Sequence, residues 1–252
     1  MSGIILETQN LSRHFGALMA VDDVTLSFER GLVHAVLGPN GAGKTTLINL
    51  LSGEILPSSG SIRFKDYDIT RLPANEVSHL GIGRSFQKTN IFPNFTCFEN
   101  CRLAAQSRMK GIFHFFKPAL SYKRINELAE KGLEMCGLTK RRDTLAQAMS
   151  YGEQRQLEIG MMLSTEPELL LLDEPLAGMG AEESLKVIEL LRKLAKEHTL
   201  ILIEHDMDAV FAVADRLAVM VNGRLLETGT VAEVRASKAV QEAYLGSEDE
   251  GH

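Results

Sequence analysis

The sequence has no tryptophan, few aromatic residues and few cysteines. Aromatic residues make up 6% of the 252 positions, and the three cysteines are Cys97, Cys101 and Cys136. An odd number of cysteines without zinc-ligand spacing argues against both a disulfide framework and a structural zinc site. We therefore expect buried thiols in a reducing compartment, with metal binding by Cys97 and Cys101 as the weaker alternative.

An excess of basic residues is also missing. The chain carries 27 Lys and Arg against 33 Asp and Glu, which gives a formal net charge of -6. Nucleic-acid binding depends on clustered positive charge that neutralises phosphates. The composition therefore predicts that nucleic acid is not the main partner, although local basic patches remain compatible with it.

Long apolar runs are the third absence. No uninterrupted stretch of the sequence approaches the roughly 20 apolar residues that a membrane-spanning helix needs. The first residues, Met1 to Thr8, lack the basic segment, apolar core and cleavage site of a signal peptide. We therefore expect a cytosolic chain that depends on other chains for any work across a membrane.

A glycine-rich segment fills every fixed position of the pattern Gly-x-x-x-x-Gly-Lys-[Ser/Thr]. It follows an apolar run, Val33 to Leu37, and precedes the helix-like run Thr46 to Leu51. Glycines let backbone N–H groups converge on a polyphosphate, and the positive end of the helix dipole faces the same charge. Lys44 is expected to reach the β- and γ-phosphates and Thr45 to ligate Mg²⁺. The strand-to-helix context disfavours the alternative of a chance glycine-rich turn. The predicted nucleotide-binding residues of this segment are Gly38, Pro39, Asn40, Gly41, Ala42, Gly43, Lys44, Thr45 and Thr46.

A second apolar run ends in two carboxylates. Glu168 to Pro175 predicts a buried parallel strand with Asp173 and Glu174 at its carboxyl end, where open α/β sheets bind ligands. Asp173 is placed to share Mg²⁺ with the phosphate loop, and Glu174 to polarise a water for attack on the γ-phosphate. Alternatively, the pair caps the helix predicted at Ala181 to Glu197, which the presence of the phosphate loop disfavours.

Polar residues also follow two other strand-like runs. Gln87 ends the run Ile82 to Gln87, and His205 follows the predicted buried strand Thr199 to Ile203. A lone histidine is more often structural than functional. Because His205 lies at the same predicted sheet edge as Glu174, we expect it to contact the γ-phosphate.

The start of the chain contains strand-like runs at Ile4 to Leu11 and Val24 to Phe28. Phe15 stands between them, upstream of the phosphate loop. Its ring is expected either to stack on a nucleotide base or to pack in the core, and the pattern alone leaves both open.

Between residues 91 and 149 the pattern changes to helical periodicity, with helices expected at Glu99 to Met109 and Ser121 to Cys136. The aromatic cluster Phe113 to Phe116 separates them and is either a loop packed on the helices or a docking surface for a partner helix. Towards the end, Asn222-Gly223 predicts a hairpin turn, and Val231 to Leu245 is expected to be helical, followed by an acidic tail.

The order of these elements resembles that of the ATP-binding cassette (ABC) family over nearly the whole chain. The segment Ser150-Tyr151-Gly152-Glu153-Gln154 is similar to the family signature Leu-Ser-Gly-Gly-Gln and has the same place, between the helical region and the acidic strand end. The resemblance implies that Ser150, Gly152 and Gln154 face a γ-phosphate bound by the opposite protomer of a dimer.

The resemblance also implies individual roles. Phe15 matches the adenine-stacking aromatic, and Gln87 matches the residue that touches Mg²⁺ and senses the transmembrane partner. Glu174 matches the catalytic base and His205 the switch histidine. Gly180 departs from the pattern, because the family usually has there an aspartate that crosses the dimer interface. The implied catalytic residues are Glu174, His205 and Gln87; the implied metal ligands are Thr45, Gln87 and Asp173; the implied cofactors are ATP and Mg²⁺.

The expected architecture is a single α/β domain with a P-loop NTPase core, built on a mostly parallel sheet with an antiparallel β portion and an inserted helical subdomain. Residues 1–87 and 160–235 are assigned to the nucleotide-binding core and residues 88–159 to the helical subdomain with the signature. Residues 236–252 are assigned to a C-terminal helix and the acidic tail.

Finer features are similar to those of the branched-chain amino acid and amide importers. They are Tyr151, Leu157-Glu158-Ile159, Ala177-Gly178, Ile203 to Met207 and Ala243 to Gly246. The implied protein is an ATPase subunit at the cytoplasmic face of the plasma (inner) membrane, bound to permease subunits and paired with itself or with a second cassette. A periplasmic or extracellular substrate-binding protein would belong to the same system. Two alternatives stay open: a soluble non-transport ATPase of this family, and the motor of a lipid or lipopolysaccharide exporter.

Overall fold

The computed structural model describes residues 3–86, 90–109, 121–204 and 207–245. The predictions for Gln87, for His205, for Phe113 to Phe116 and for the acidic tail therefore lie outside the described residues.

Strands and helices alternate along most of the chain. The elements are β1 (Ile4–Phe15), β2 (Leu18–Glu29), β3 (Val33–Leu37), α1 (Lys44–Leu51), β4 (Ser59–Phe64), β5 (Tyr67–Asp68), α2 (Ala74–Leu80), β6 (Ile82–Arg84), α3 (Cys97–Gln106), α4 (Lys123–Met135), α5 (Tyr151–Leu163), β7 (Leu169–Asp173), α6 (Ala181–Leu194), β8 (Thr199–Ile203), α7 (Met207–Val213), β9 (Arg216–Val221), β10 (Arg224–Thr230), α8 (Val231–Ala236) and α9 (Lys238–Leu245).

A six-stranded sheet in the order β10-β9-β3-β8-β7-β6 forms the centre of the fold. Its strands are parallel except for β10, which pairs antiparallel with β9. Every residue of β3, β7 and β8 is buried. Along β7, Leu170 and Leu172 pack with the helices, while Leu169 and Leu171 pack with the second sheet. Burial on both faces explains the continuous apolar runs and confirms the predicted parallel strands.

The second sheet is antiparallel, with four strands in the order β2-β1-β4-β5. Its two long strands extend well beyond the predicted runs, because they form one hairpin that turns at Gly16, where φ is 60°. The outer parts of these strands are exposed and contain irregular register. The exposed ends of β1 and β2 lack a continuous apolar pattern, so the sequence did not indicate their full length. Together the two sheets and the helices confirm the predicted α/β class.

Helices α3, α4 and α5 pack against one another in the middle of the chain. Helix α3 begins earlier than predicted because Thr96 caps it, accepting the Glu99 N–H at 3.2 Å. The predicted boundary between the helical subdomain and the core, between residues 159 and 160, lies inside α5. The division of the chain into core and helical subdomain remains a prediction. The segment from Val231 to Leu245 is helical as predicted, but it forms two helices, because Ser237, with ψ of 121°, ends α8 before α9 begins.

The predicted buried thiols are confirmed. Cys97, Cys101 and Cys136 are all free and buried. Burial raises the pKa of Cys97 to about 11 and that of Cys136 to about 12, so both thiols stay protonated at neutral pH. Within the described ranges, no cluster of three or more metal-ligating side chains forms. No helix in the same ranges combines the length and apolarity needed to cross a bilayer.

Candidate nucleotide-binding site

The glycine-rich loop lies tightly against two neighbouring strands. At Gly43, where φ is 97°, an added Cβ would lie 2.1 Å from the Ala20 carbonyl oxygen. At Gly38 an added Cβ would lie 2.1 Å from the Met220 carbonyl oxygen. Glycine is therefore required at both positions for steric reasons. The loop ends in the N-terminus of α1, as predicted.

A cleft of about 430 Å³ opens beside this loop. This volume falls within the range of small-molecule sites. Glu174, directly after β7, lies in the wall of the same cleft, so the structure brings the phosphate loop and the predicted base together. The residues that line the cleft are Leu18, Met19, Ala20, Asn40, Gly41, Ala42, Gly43, Lys44, Thr45, Thr46, Glu174 and Asn222.

Lys44 is 8% exposed and its ammonium is held by its own loop. Nζ donates to the carbonyl oxygens of Gly38 at 2.7 Å and Pro39 at 3.0 Å. Burial lowers the pKa of Lys44, and the charges of Glu174 and Asp173 oppose that shift. The two carbonyl bonds fix the Lys44 side chain in the cleft, where it can meet a phosphate.

Asp173 provides a buried carboxylate at the end of β7 and is 2% exposed. Its Oδ2 lies 3.8 Å from the Arg84 guanidinium, while Oδ1 is buried and has no hydrogen-bond partner within the described part of the chain. Burial raises the pKa of Asp173, and Arg84 opposes the shift. A buried carboxylate oxygen without a protein partner fits a magnesium ligand. The Asp173 carboxylate therefore fits a bound Mg²⁺, and Thr45, the other predicted ligand in the described residues, lines the cleft beside the phosphate loop.

Glu174 has an unusual backbone conformation, with φ of 46°. Its N–H donates to the Ile203 carbonyl at 2.9 Å, and its own carbonyl accepts from Arg155 at 3.1 Å. A non-glycine residue held in the left-handed region is often found at functional sites. The alternative in which Asp173 and Glu174 cap α6 is wrong, because the N-cap of that helix is Gly180.

The signature segment forms the beginning of α5, with Ser150 and Tyr151 exposed and Gly152 buried. Ser150 is the N-cap, and its Oγ accepts the Glu153 N–H at 3.3 Å while the Glu153 carboxylate accepts the Ser150 N–H at 3.0 Å. The Ser150 hydroxyl also donates to Glu183 Oε1 at 3.0 Å. A Cβ added at Gly152 would lie 2.9 Å from the same carboxylate, so Glu183 packs directly on the signature glycine.

Gln154 supports the loop that leads into α5. Its amide donates to the carbonyl oxygens of Ala146 at 3.3 Å and Met149 at 3.2 Å. Its predicted contact with phosphate would require those hydrogen bonds to break. None of the three signature residues Ser150, Gly152 and Gln154 lines the cleft around Lys44. Their predicted phosphate contact remains a prediction about a second chain.

Phe15 is 46% exposed, so its alternative role as a core residue is wrong. The Arg13 guanidinium lies 4.6 Å from the ring centroid. Phe15 pairs across the hairpin with Leu18, which lines the cleft. Phe15 thus pairs with a residue of the cleft wall and its ring is solvent-accessible, and base stacking by Phe15 stays a prediction.

Sequence reasoning missed three charged residues around the site. Arg84 faces Asp173, and Arg155 and Glu158 form an ion pair at 2.6 Å on α5. Burial raises the pKa of Glu158, and Arg155 opposes that shift. Opposite charges three positions apart in an otherwise buried helix were the available signal. Local patterns could not show what these residues contact.

A glycine cradle, a buried lysine and two carboxylates at a strand end define the nucleotide site of a P-loop ATPase. The chain belongs to the ABC transporter family: the model of that family matches residues 21–177. A second model, described as branched-chain amino acid ATP-binding cassette transporter, matches residues 224–250. The chain is thus an ATP-hydrolysing, nucleotide-binding cassette.

Known proteins align along almost the entire chain. This chain is 39% identical to the high-affinity branched-chain amino acid transport ATP-binding protein BraF of Pseudomonas aeruginosa, in an alignment that covers 98% of this chain and 99% of that protein. It is 36% identical to LivG of Escherichia coli K12, which has the same description and the same coverage. The nucleotide-free structure of an ATP-binding cassette from an ABC transporter superposes with a TM-score of 0.86 at 31% identity, covering 96% of this chain and 99% of the other. The ADP conformation of MJ1267, also an ABC transporter cassette, gives 0.84 at 31% identity, covering 97% and 100%.

Proposed function

We propose that ATP hydrolysis by this chain powers the uptake of branched-chain amino acids or related amides through a membrane permease. The observation that carries the proposal is that Lys44, Thr45 and Glu174 line a single cleft. The similarity to BraF and LivG over nearly the whole chain supports the substrate class. On this proposal the chain works at the cytoplasmic face of the plasma (inner) membrane, with a substrate-binding protein on the other side.

In the proposed mechanism the phosphate loop and Lys44 bind the β- and γ-phosphates. Glu174 accepts a proton from the water that attacks the γ-phosphate, in the cleft where its backbone conformation is fixed. Asp173 and Thr45, with Gln87, would hold Mg²⁺, which supplies positive charge to the phosphate oxygens when bound. His205 would contact the γ-phosphate from the end of β8.

The proposed active form is a head-to-tail dimer with a second copy or with a sibling cassette. The γ-phosphate needs neutralising groups on both faces, and the cleft provides them on one. The N-terminus of α5, where Ser150 is exposed and Gly152 lies buried under Glu183, is the surface that a partner would present to the other face. Closure of the dimer would drive the permease, and hydrolysis would reopen it.

Uptake measurements test this proposal against its alternatives. A strain lacking the chain should lose high-affinity uptake of labelled leucine, isoleucine or valine, or of a short amide, and the wild-type gene should restore it. The purified complex should contain membrane permease subunits. Unchanged uptake together with altered membrane lipids would indicate an exporter motor, and purification without any membrane protein would indicate a soluble ATPase.

A further inference from the structure

A buried ion pair on α5 contacts the site at several points. Arg155 and Glu158 are 1% and 5% exposed, and the Arg155 guanidinium lies 2.6 Å from Glu158 Oε2. Burying two charges is costly, so such a pair is not in itself a source of stability. What distinguishes this pair is the set of main-chain groups that it binds.

The first contacts flank the segment that contains Gln87. Glu158 Oε1 accepts the Phe86 N–H at 2.9 Å, and Arg155 donates to the Phe86 carbonyl. The backbone of Asn90 also hydrogen-bonds to Glu158. The ion pair thus holds the chain on both sides of residues 87–89, which include the residue predicted to meet Mg²⁺ and the permease.

The second contacts lie at the end of β7. The other guanidinium nitrogen of Arg155 donates to the carbonyl oxygens of Asp173 at 2.8 Å and Glu174 at 3.1 Å. Glu174 has φ of 46°, a conformation that persists only where the surrounding structure holds it. Arg155 on one side and the Ile203 carbonyl on the other supply that restraint.

The third connection is the helix itself. Arg155 and Glu158 lie in the first turns of α5, which begins directly after the signature residue Ser150. A displacement of this helix end at a dimer interface would therefore move the groups that hold Glu174. We propose that the Arg155–Glu158 pair is a positioning device that couples the signature helix to Glu174 and to the flanks of Gln87. This inference rests on the proposed function, because it assigns Glu174 to hydrolysis.

Two substitutions in the full-length chain test the coupling. Arg155→Lys keeps the charge, but one ammonium cannot span the Phe86 and Glu174 carbonyls as the guanidinium fork does. Glu158→Ala removes the charge that pairs with Arg155 and the acceptor of the Phe86 N–H. Arg142→Lys is the control, because Arg142 pairs with Glu130 at 2.7 Å and with Asp143, and among the described residues its side chain makes no hydrogen bond to the three site segments.

The expected kinetic result is a loss of turnover without a loss of binding. In Arg155→Lys, kcat should fall about tenfold or more, which corresponds to a misplaced catalytic group, while the Kd for Mg-ATP stays within about threefold of wild type. The Arg142→Lys control should stay within about twofold in both quantities. An unchanged kcat in folded Arg155→Lys, or a parallel loss of ATP binding, would overturn the proposal.

A double-mutant cycle separates positioning from general damage. In a Glu174→Gln background, Arg155→Lys should lower the residual rate by less than about twofold, because the group that it positions has already lost its function. If Arg155 had a purely structural role, Arg155→Lys would lower the rate by the same factor in both backgrounds, and that result would contradict the inference.

Hydrogen exchange provides a readout that does not depend on hydrolysis. The Phe86 amide donates to Glu158 Oε1 and should exchange at least about tenfold faster in Glu158→Ala, which removes that acceptor, than in Arg142→Lys. Should Arg155→Lys fail to fold, this measurement on Glu158→Ala decides the question, and unchanged exchange overturns the proposal. A chain that hydrolyses ATP but fails to power uptake would refute the proposed transport function alone.

Discussion

The phosphate loop and the signature segment both precede a helix and both are expected to meet phosphate, yet their surroundings are opposite. At the phosphate loop, Lys44 is a buried cation held by backbone carbonyls in a preformed cleft. At the signature, Ser150 is exposed and its hydroxyl and N–H are bonded to the carboxylates of Glu183 and Glu153. Carboxylates at a helix N-terminus occupy the positions that favour an anion.

This difference indicates an order of events. The phosphate loop is expected to bind a polyphosphate without rearrangement, because its backbone and Lys44 already line the cleft. In the proposed dimer, the signature would have to exchange its own Glu183 carboxylate for the phosphate of a partner. ATP is therefore expected to bind a single chain first, and the signature to join only as the dimer closes.

The largest effect is expected from a substitution of Lys44 in the phosphate loop. Lys44→Ala should weaken Mg-ATP binding by about a hundredfold or more, since it removes the buried lysine that lines the cleft in the described part of the chain. Titration calorimetry with Mg-ATP measures the effect. Lys65→Ala is the control, because Lys65 pairs with Glu168 away from the cleft. Unchanged affinity in Lys44→Ala would mean that the loop is not a phosphate site.

Glu174 separates binding from hydrolysis at the same cleft. Glu174→Gln should retain ATP affinity but lose about 10²- to 10⁴-fold in kcat, the usual contribution of a general base. Trapped ATP should also make the variant accumulate as a dimer in size-exclusion chromatography. Glu168→Gln, just before the opposite end of the same strand, should hydrolyse normally. Wild-type turnover in Glu174→Gln would remove this residue from its role.

The phosphate loop and the acidic strand end were readable from sequence because each is a local pattern. Lys44 is a few positions from the backbone it binds, and β7 is marked by its own apolar run. Arg84 and Arg155 could not be placed in this way. Arg155 binds Phe86 and Glu174, which only the folded chain brings next to α5. No periodicity encodes such contacts.

Ser150 tests the second surface and should have a smaller effect. Ser150→Ala removes a hydroxyl that would donate to phosphate, a hydrogen bond to a charged group worth about 1.5–3 kcal/mol, so hydrolysis should fall about 10- to 100-fold. ATP binding to the monomer should not change, because Ser150 is outside the Lys44 cleft. Phosphate release and calorimetry give the two values.

Thr230→Ala is a matched control for Ser150→Ala, because Thr230 caps α8 with the same reciprocal pair of bonds. Both changes should cost about 1 kcal/mol of stability as lost helix caps, and only the change at Ser150 should affect hydrolysis. Equal activity in the two variants would show that the signature serine serves α5 alone.

The smallest effect is expected at Glu183. Glu183→Gln removes the negative charge beside Ser150 and Gly152, which competes with an incoming phosphate. A charge interaction at this partly exposed position is worth about 0.5–1 kcal/mol, so ATP-driven dimerisation should become about two- to fivefold tighter. Sedimentation equilibrium in a Glu174→Gln background measures it, with Glu182→Gln on the neighbouring exposed residue as the control. A weaker dimer in Glu183→Gln would mean that Glu183 holds Ser150 in its binding conformation and does not compete with the incoming phosphate. The phosphate loop and the signature would then differ in geometry rather than in charge.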